Sequence, residues 1–154
     1  MAIQDSASDV FYQRISSLAR RKQIPLKAMF ELTYRCNFNC VHCYVVREKD
    51  KRELTTAEVK EILRQLKAQG CFHIGFTGGE PLMREDIFEI LNYAKLLGFR
   101  ISLLTNGYFI DKSVAKEIAS LGIGLNRVDI SVLGAALKTF EGITKKKGSF
   151  RKRH

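Results

Sequence analysis

A repeated pattern of a short apolar strand followed by an amphipathic helix constrains the fold of this chain most strongly. Apolar runs begin near residues 72, 100 and 126, and a glycine stands two to four residues before each run. Glycine is common where a helix stops, because it adopts a left-handed conformation without steric cost. Strands that alternate with helices form a parallel sheet with right-handed crossovers, so the pattern predicts an α/β fold with helices packed outside the sheet.

The boundaries of the elements follow from apolar periodicity and from capping residues. Thr55 with Glu58 has the pattern of a capping box, and Asp111 is suited to cap a later helix. We predict helices over 9–22, 55–70, 87–97 and 111–122, and strands over 27–33, 72–77, 100–105 and 126–132. A short turn of helix is expected over 137–143, and residues 148–150 suggest the start of another helix.

Composition indicates a soluble globular domain without a membrane span. The 154 residues are 45% hydrophobic and 27% charged, and no apolar run approaches the ~20 residues that a transmembrane helix needs. The N-terminus lacks the basic region and apolar core of a secretion signal, so we expect a cytoplasmic protein.

The net charge of +10 is concentrated at the two ends of the chain. Residues 144–154 carry six basic and no acidic side chains, and residues 1–27 carry five basic against two acidic, which leaves +1 for residues 28–143. A nearly neutral body with a solvated basic tail makes nucleic acid an unlikely partner.

Three of the four cysteines stand in a C-x3-C-x2-C pattern at Cys36, Cys40 and Cys43, directly after the first predicted strand. Such a cluster is a poor disulfide framework, and in a chain without a signal peptide it favours metal binding. Closed zinc and electron-transfer sites normally use four protein ligands. Three cysteines on a [4Fe-4S] cluster would leave one iron open for chemistry.

A second motif, Gly78-Gly79-Glu80-Pro81, follows the second predicted strand. Glycines let the backbone approach a ligand closely, and the carboxylate of Glu80 is suited to a ligand's ammonium group. Asn106 follows strand three and Ser131 lies late in strand four. Because ligands of parallel α/β sheets bind at the carboxyl ends of the strands, these residues and the cysteines predict one common site.

The two motifs together resemble the radical SAM superfamily, in which the open iron binds S-adenosylmethionine. The resemblance implies an open (β/α)6 partial TIM barrel and covers roughly residues 26–150 as a partial core domain. Residues 1–25 then form an N-terminal helical segment and 151–154 a basic tail. Only four of the six strands are present, so we expect a core truncated after strand four, with that strand left as an open edge.

The resemblance also implies the residues of the site. Cys36, Cys40 and Cys43 would ligate the cluster. The implied contacts with S-adenosylmethionine are His42, Gly78, Gly79, Glu80, Pro81, Thr105, Asn106 and Ser131. Within this set, Glu80 would meet the amino group, His42 would lie near the adenine, and the residues of strands three and four would approach the methionine carboxylate and the ribose. These are cofactor contacts, and the catalytic residues are unknown from the sequence.

The implied activity is [4Fe-4S]-dependent reductive cleavage of S-adenosylmethionine to a 5′-deoxyadenosyl radical that abstracts hydrogen from a substrate. The form of the segment around the first cysteine is most similar to members that modify peptides or mature cofactors, so we expect a peptide or small-molecule substrate. An electron donor of the flavodoxin or ferredoxin type would reduce the cluster.

Two alternatives remain open at this point. A non-catalytic zinc module would use Cys40, Cys43, Cys71 and His73, and an electron carrier would use Cys71 as the fourth ligand of a closed cluster. The zinc alternative leaves Cys36 and Gly78-Gly79-Glu80 without a role. Cys71 precedes a core strand, where a free cysteine commonly behaves as a small buried hydrophobe. His73 lies on that strand and is expected to be a packed histidine.

Overall fold

The computed structural model describes residues 7–45 and 52–150. Its strands are β1 (Lys27–Glu31), β2 (His73–Thr77), β3 (Arg100–Thr105) and β4 (Leu125–Ile130). Its helices are α1 (Ala7–Arg21), α2 (Thr56–Ala68), α3 (Ile87–Leu96), α4 (Lys112–Ser120) and α5 (Leu137–Thr144), with single 3-10 turns at Pro81–Met83 and Gly122–Gly124. In the described ranges, every helix is too short or too polar to cross a membrane.

The four strands form one parallel sheet in the order β1-β2-β3-β4. One register row runs across the sheet through Phe30, Phe76, Leu103 and Val128. Since all four strands run in the same direction, their carboxyl ends and the loops that follow them meet at one edge of the sheet. The predicted parallel α/β sheet, an open part of a barrel, is confirmed.

One face of the sheet packs against the helices. Ile74 and Phe76 of β2 and Ile101 and Leu103 of β3 are fully buried, in one apolar cluster with side chains from α2, α3 and α4. Burial of a side chain of this size contributes about 1.5–3 kcal/mol each. This core fixes the strands and therefore the positions of the loops at their carboxyl ends.

The helix boundaries follow the local signals in the sequence. The Thr55 hydroxyl accepts a hydrogen bond from the Glu58 N–H while the Glu58 carboxylate accepts from the Thr55 N–H, which completes the capping box. Asp111 caps α4 through the N–H of Val114 at 2.9 Å. Gly98 has φ +74° after α3, the left-handed conformation expected of a helix stop.

The sheet is shorter than expected at the ends of its two outer strands. Strand β1 ends at Glu31 and β4 at Ile130, two residues before the limits that the apolar runs predicted. Residues 147–150 form a turn instead of a helix start, in which the Ser149 hydroxyl donates to the Lys146 carbonyl and Gly148 has φ +76°. The predicted basic tail and any helix beginning there lie outside the described residues.

Candidate functional site

The segment that follows β2 is bonded to the segment that follows β1. The N–H of Gly79 donates to the carbonyl of Thr33 at 2.7 Å, and the N–H of Glu80 donates to the carbonyl of Arg35 at 2.9 Å. A Cβ on Gly78, which has φ +130°, would lie 2.5 Å from the Thr33 oxygen, and a Cβ on Gly79 would lie 2.2 Å from the Arg35 oxygen. The two glycines are therefore required by the contact between these chain segments.

Arg84 follows the 3-10 turn at Pro81–Met83 and connects it to the residue after β1. Its guanidinium is almost fully buried and donates to the carbonyl oxygens of Leu32 and Leu54, each at 3.0 Å. It also forms a bidentate pair with Asp86, with N···O distances of 2.8 and 2.6 Å. The hydrogen bonds from Arg84 lower the pKa of Asp86 more than partial burial raises it.

The cysteine loop is held from its other side by α5. The N–H of Asn39 donates to the carbonyl of Thr144 at 2.9 Å, and the N–H of Val41 donates to the carbonyl of Ile143 at 3.0 Å. Phe38 is 2% exposed. The cysteine loop is thus anchored to both β2 and the last described helix.

Aromatic rings fill the space between these elements. The ring of Phe38 makes edge contacts with Tyr108 and Phe140, with centroid distances of 5.7 and 6.2 Å. Rings in this arrangement contribute attraction beyond their buried area. Phe38 lies inside the cysteine motif, but sequence reasoning gave it no role, because its partners come from distant parts of the chain.

A pocket of about 270 Å³ opens at the carboxyl ends of the strands. Its lining includes nine of the residues that the sequence assigned to the site: Cys36, Cys40, His42, Cys43, Gly78, Gly79, Thr105, Asn106 and Ser131. Phe38, Tyr44, Val45, Thr77, Leu104 and Leu133 complete the lining. Loops after all four strands therefore reach one pocket, as the parallel arrangement predicted.

Glu80 and Pro81 are buried and are absent from this lining. The carboxylate of Glu80 is 0% exposed and caps the 3-10 turn by accepting from the N–H of Leu82 at 3.1 Å. It also accepts from the hydroxyl of Thr105 and from the backbone N–H of Asn106, both at 2.7 Å. A contact between Glu80 and a ligand's amino group stays a prediction.

Hydrogen-bond donors converge near the sulfur of Cys36. The backbone N–H of Phe38 approaches it at 3.4 Å, and the side-chain amide of Asn106 approaches it at 3.9 Å. The same amide nitrogen donates to Oδ1 of Asn37 at 2.7 Å. Nδ2 of Asn37 is buried and has no hydrogen-bond partner in the described part of the chain. Sequence reasoning missed Asn37, although its place beside the first cysteine was a usable signal.

Cys71 and His73 lie apart from this pocket. Cys71 is 1% exposed in the apolar core, its thiol contacts the carbonyl of His73 at 3.3 Å, and burial raises the pKa of that thiol. His73 is hydrogen-bonded to Ser102 at 2.8 Å, and burial, followed by the charge of Lys27, lowers the pKa of its imidazole. Neither residue lines the pocket that contains the three other cysteines, so the structure gives no support to the zinc alternative.

The three pocket cysteines do not form a preformed metal site. Across residues 7–45 and 52–150, no group of three His, Cys, Asp or Glu side chains is arranged to hold a metal ion. Metal binding is commonly coupled to local folding around the ligands. The assignment of Cys36, Cys40 and Cys43 as ligands therefore stays a prediction, with their common pocket as its structural basis.

The parallel sheet and the pocket at its carboxyl edge define an α/β protein of the barrel type with a cysteine-lined site. Residues 30–153 match the model of the Radical SAM superfamily, and the chain belongs to that superfamily of enzymes. It is 37% identical over 125 residues to the Fe-coproporphyrin III synthase of Methanosarcina barkeri (strain Fusaro / DSM 804), a match that covers 79% of this chain and 30% of that protein.

Two solved structures share the fold. SuiB of Streptococcus suis bound to S-adenosylmethionine superposes with a TM-score of 0.69 at 21% identity, over 93% of this chain and 35% of SuiB. The protein anSMEcpe with bound AdoMet and the Kp18Cys peptide gives a TM-score of 0.66 at 21% identity, over 82% of this chain and 38% of that one. The chain thus spans about a third of the length of these relatives.

Proposed function

We propose that this chain forms the cluster-binding and S-adenosylmethionine-binding part of a radical SAM enzyme. The observation that supports this most directly is the pocket of about 270 Å³ at the carboxyl edge of the sheet. Its lining brings together the three motif cysteines, the glycine pair and polar residues from β3 and β4. Each of these features follows a different strand, so their convergence is a property of the fold.

The residues present fit a [4Fe-4S] cluster. Three thiols line one pocket, and the sulfur of Cys36 already receives N–H donors from Phe38 and Asn106. Hydrogen bonds of this kind stabilise electron-rich cluster sulfurs and tune their reduction potential. The buried amide nitrogen of Asn37, without a partner in the described ranges, adds a further donor beside the first cysteine. Cys36, Cys40 and Cys43 are the proposed ligands.

The proposed position of S-adenosylmethionine rests on the superfamily motif, and the pocket lining supports it in part. We propose that the methionine end lies along the Gly78–Pro81 segment, of which Gly78 and Gly79 line the pocket, with Thr105 and Asn106 beside it. We propose that His42 and Ser131, both exposed at the pocket, lie near the adenine and the ribose. A bound cluster of this type supplies an electron for reductive cleavage of S-adenosylmethionine, and the protein orients the cofactor and limits access of water.

For the substrate we propose a cofactor precursor of the tetrapyrrole class, with a modified peptide as the second candidate. The relative with 37% identity is named as an Fe-coproporphyrin III synthase. The peptide-bound neighbours, SuiB with its precursor peptide SuiA and anSMEcpe, are only 21–22% identical and share the fold alone. An electron donor of the flavodoxin or ferredoxin type completes the proposed system.

Anaerobic reconstitution of the chain tests the site. The expected result is a protein with four iron and four sulfide per chain, as a [4Fe-4S] cluster requires, whose electron paramagnetic resonance spectrum changes when S-adenosylmethionine is added. Dithionite replaces the electron donor, and 5′-deoxyadenosine is then quantified. Zinc in place of iron, or a cluster spectrum indifferent to S-adenosylmethionine, would contradict the proposal.

A titration with Fe-coproporphyrin III, the tetrapyrrole that the relative is named for making, tests separately whether the chain binds this class of molecule. Tetrapyrrole binding is expected to shift the Soret band of the ligand, at concentrations where an unrelated basic protein of equal charge produces no shift. The peptide candidate is favoured instead if the Soret band does not move.

A further inference from the structure

The backbone N–H of Tyr108 determines the orientation of the Asn106 side-chain amide, because this N–H can only donate a hydrogen bond. The backbone N–H of Tyr108 lies 2.9 Å from the oxygen of the Asn106 amide. A backbone N–H has no acceptor role, so the oxygen must face Tyr108 and the nitrogen must face the other way. That nitrogen lies 2.7 Å from Oδ1 of Asn37 and 3.9 Å from the sulfur of Cys36. Asn106 therefore presents N–H groups to the cysteine loop.

The backbone of Asn106 is held by the buried carboxylate of Glu80. Oε2 of Glu80 accepts from the Asn106 N–H at 2.7 Å, and Oε1 accepts from the hydroxyl of Thr105 at 2.7 Å. The Thr105 hydroxyl in turn accepts from the N–H of Gly107 at 3.0 Å. A carboxylate with no exposure is costly unless donors satisfy it, and here Thr105 and Asn106 donate to it in addition to the N–H of Leu82.

We propose that Glu80 is a positioning residue for Asn106, and that Asn106 uses this orientation to donate a hydrogen bond to the sulfur of Cys36. This inference rests on the proposed function, because the sulfur it concerns is a proposed cluster ligand. The carboxylate braces the loop after β3 against the turn after β2. The amide then adds positive potential at the cysteine sulfur, which favours the more negative, reduced state of a bound cluster and raises its reduction potential.

This role differs from the one that the sequence suggested for Glu80. A carboxylate aimed at a ligand's ammonium group would be expected at the surface of the pocket, whereas Glu80 lies behind the lining and Asn106 lies in it. The two roles predict different measurements. Direct contact with the ammonium group affects the affinity for S-adenosylmethionine, and positioning of Asn106 affects the cluster before any S-adenosylmethionine is added.

The test uses the reconstituted full chain in a redox titration monitored by electron paramagnetic resonance without S-adenosylmethionine. Asn106→Ala removes the donating amide without adding a charge. Glu80→Gln places its NH2 group against the backbone N–H of either Asn106 or Leu82, because each oxygen of the Glu80 carboxylate accepts one of these N–H groups. Each substitution is expected to shift the one-electron reduction equilibrium three- to tenfold toward the oxidised cluster, which is about 30–60 mV at 59 mV per tenfold change.

The double variant and a matched control make the test specific. If Glu80 acts through Asn106, the double variant has no lower potential than Asn106→Ala alone, because the two changes remove one interaction. Glu89→Gln removes a carboxylate that pairs with Lys60 on the outer surface of the helices and is expected to leave the potential unchanged. An unchanged potential in Asn106→Ala, or weaker S-adenosylmethionine binding by Glu80→Gln at unchanged potential, overturns the proposal.

A measurement on the cluster-free chain separates this proposal from the proposed function. In ¹⁵N-labelled protein, Glu80→Gln is expected to move the backbone and side-chain amide signals of Asn106, and Cys36→Ala to move its side-chain signals, while Glu89→Gln moves neither. If no cluster assembles but these shifts occur, the proposed function fails and the positioning role of Glu80 stands. Unmoved Asn106 signals in Glu80→Gln overturn the positioning role, whatever metal the chain binds.

Discussion

The carbonyl oxygen of Arg35 lies 2.2 Å from the place that a Cβ atom on Gly79 would occupy. The same carbonyl accepts the N–H of Glu80 at 2.9 Å. The cysteine motif and the glycine motif are therefore in direct backbone contact, one residue before the first cysteine. A change in one motif must displace the other, and this makes the glycine pair a test of how the site is assembled.

Gly79→Ala is expected to destabilise the chain by about 1–3 kcal/mol, because the added methyl group overlaps backbone atoms that cannot rotate away. The measurement is chemical denaturation followed by circular dichroism. Gly142→Ala is the matched control: it adds the same methyl group within α5, where nothing lies within 4 Å of the new atom, and is expected to be neutral or stabilising by up to about 1 kcal/mol. Equal stability of the two variants would contradict this account of Gly79.

Alanine at Cys36, Cys40 or Cys43 is expected to abolish a stable [4Fe-4S] cluster, because each removal leaves only two thiolates. Iron and sulfide analysis after anaerobic reconstitution checks this. Cys71→Ala is the control, since its thiol is buried in the apolar core, and the variant is expected to retain the cluster. Equal loss of iron in all four variants would refute the three-ligand assignment.

The salt bridge between Arg84 and Asp86 is expected to make the free energy of unfolding depend on pH. The pKa of Asp86 is lowered in the folded chain from its ordinary value of 3.8, so its contribution is complete above that value and is lost as the pH falls through the folded-state pKa. Asp86→Asn is expected to cost about 1.5–3 kcal/mol at neutral pH. The difference from the native chain then narrows below about pH 4, because Asp86 of the native chain becomes protonated while the asparagine of the variant never carried a charge.

Denaturation curves at a series of pH values measure this dependence. Glu85→Gln changes a neighbouring exposed side chain and is expected to alter the free energy of unfolding at neutral pH by less than about 0.5 kcal/mol. A constant difference between Asp86→Asn and the native chain from neutral to acid pH would show that the Asp86 charge contributes nothing.

The open edge at β4 is expected to cause self-association of this 154-residue chain. Strand β4 is last in the sheet order of residues 7–45 and 52–150, and Ile130 at its end and Val132 just after it are 46% and 75% exposed. Lysine at both positions is expected to raise the concentration needed for association by about tenfold or more, since charges on an edge oppose pairing. Sedimentation velocity over a concentration series measures it.

The control for this prediction is Leu96→Lys, which changes a leucine that is 83% exposed at the end of α3, away from β4. If the control substitution lowers association as strongly as the edge substitutions do, general surface hydrophobicity causes the association. The prediction that the β4 edge causes it would then be wrong.

Much of the fold was predictable because its signals are local. The capping box at Thr55, the cap at Asp111 and the glycine stop at Gly98 act on neighbouring residues, and each helix begins or ends as these residues indicate. The apolar run of β3 matches its strand, and that of β2 begins one residue before its strand. The limits of β1 and β4 were less accurate, since a strand ends where its neighbour stops pairing, which its own sequence does not record.

The location of the site was predictable from the sequence, but most contacts between its residues were not. Parallel strands bring their carboxyl ends together, and that alone placed the cysteines, the glycine pair and Asn106 in one pocket. The pairing of Asn106 with Asn37 joins residues 69 positions apart, and the burial of Glu80 depends on a loop from another strand. Such contacts are set by tertiary packing, so the motif alone suggested a more exposed role for Glu80.

The anchoring of the cysteine loop to α5 also has a consequence for the order of events during synthesis. A nascent chain emerges with its N-terminus first, so the loop leaves the ribosome before β2 and long before α5. The carbonyls of Ile143 and Thr144, which accept the N–H groups of Val41 and Asn39, are among the last described groups to be made. The loop therefore leaves the ribosome about a hundred residues before these two acceptor carbonyls, and its backbone gains their hydrogen bonds only when α5 docks.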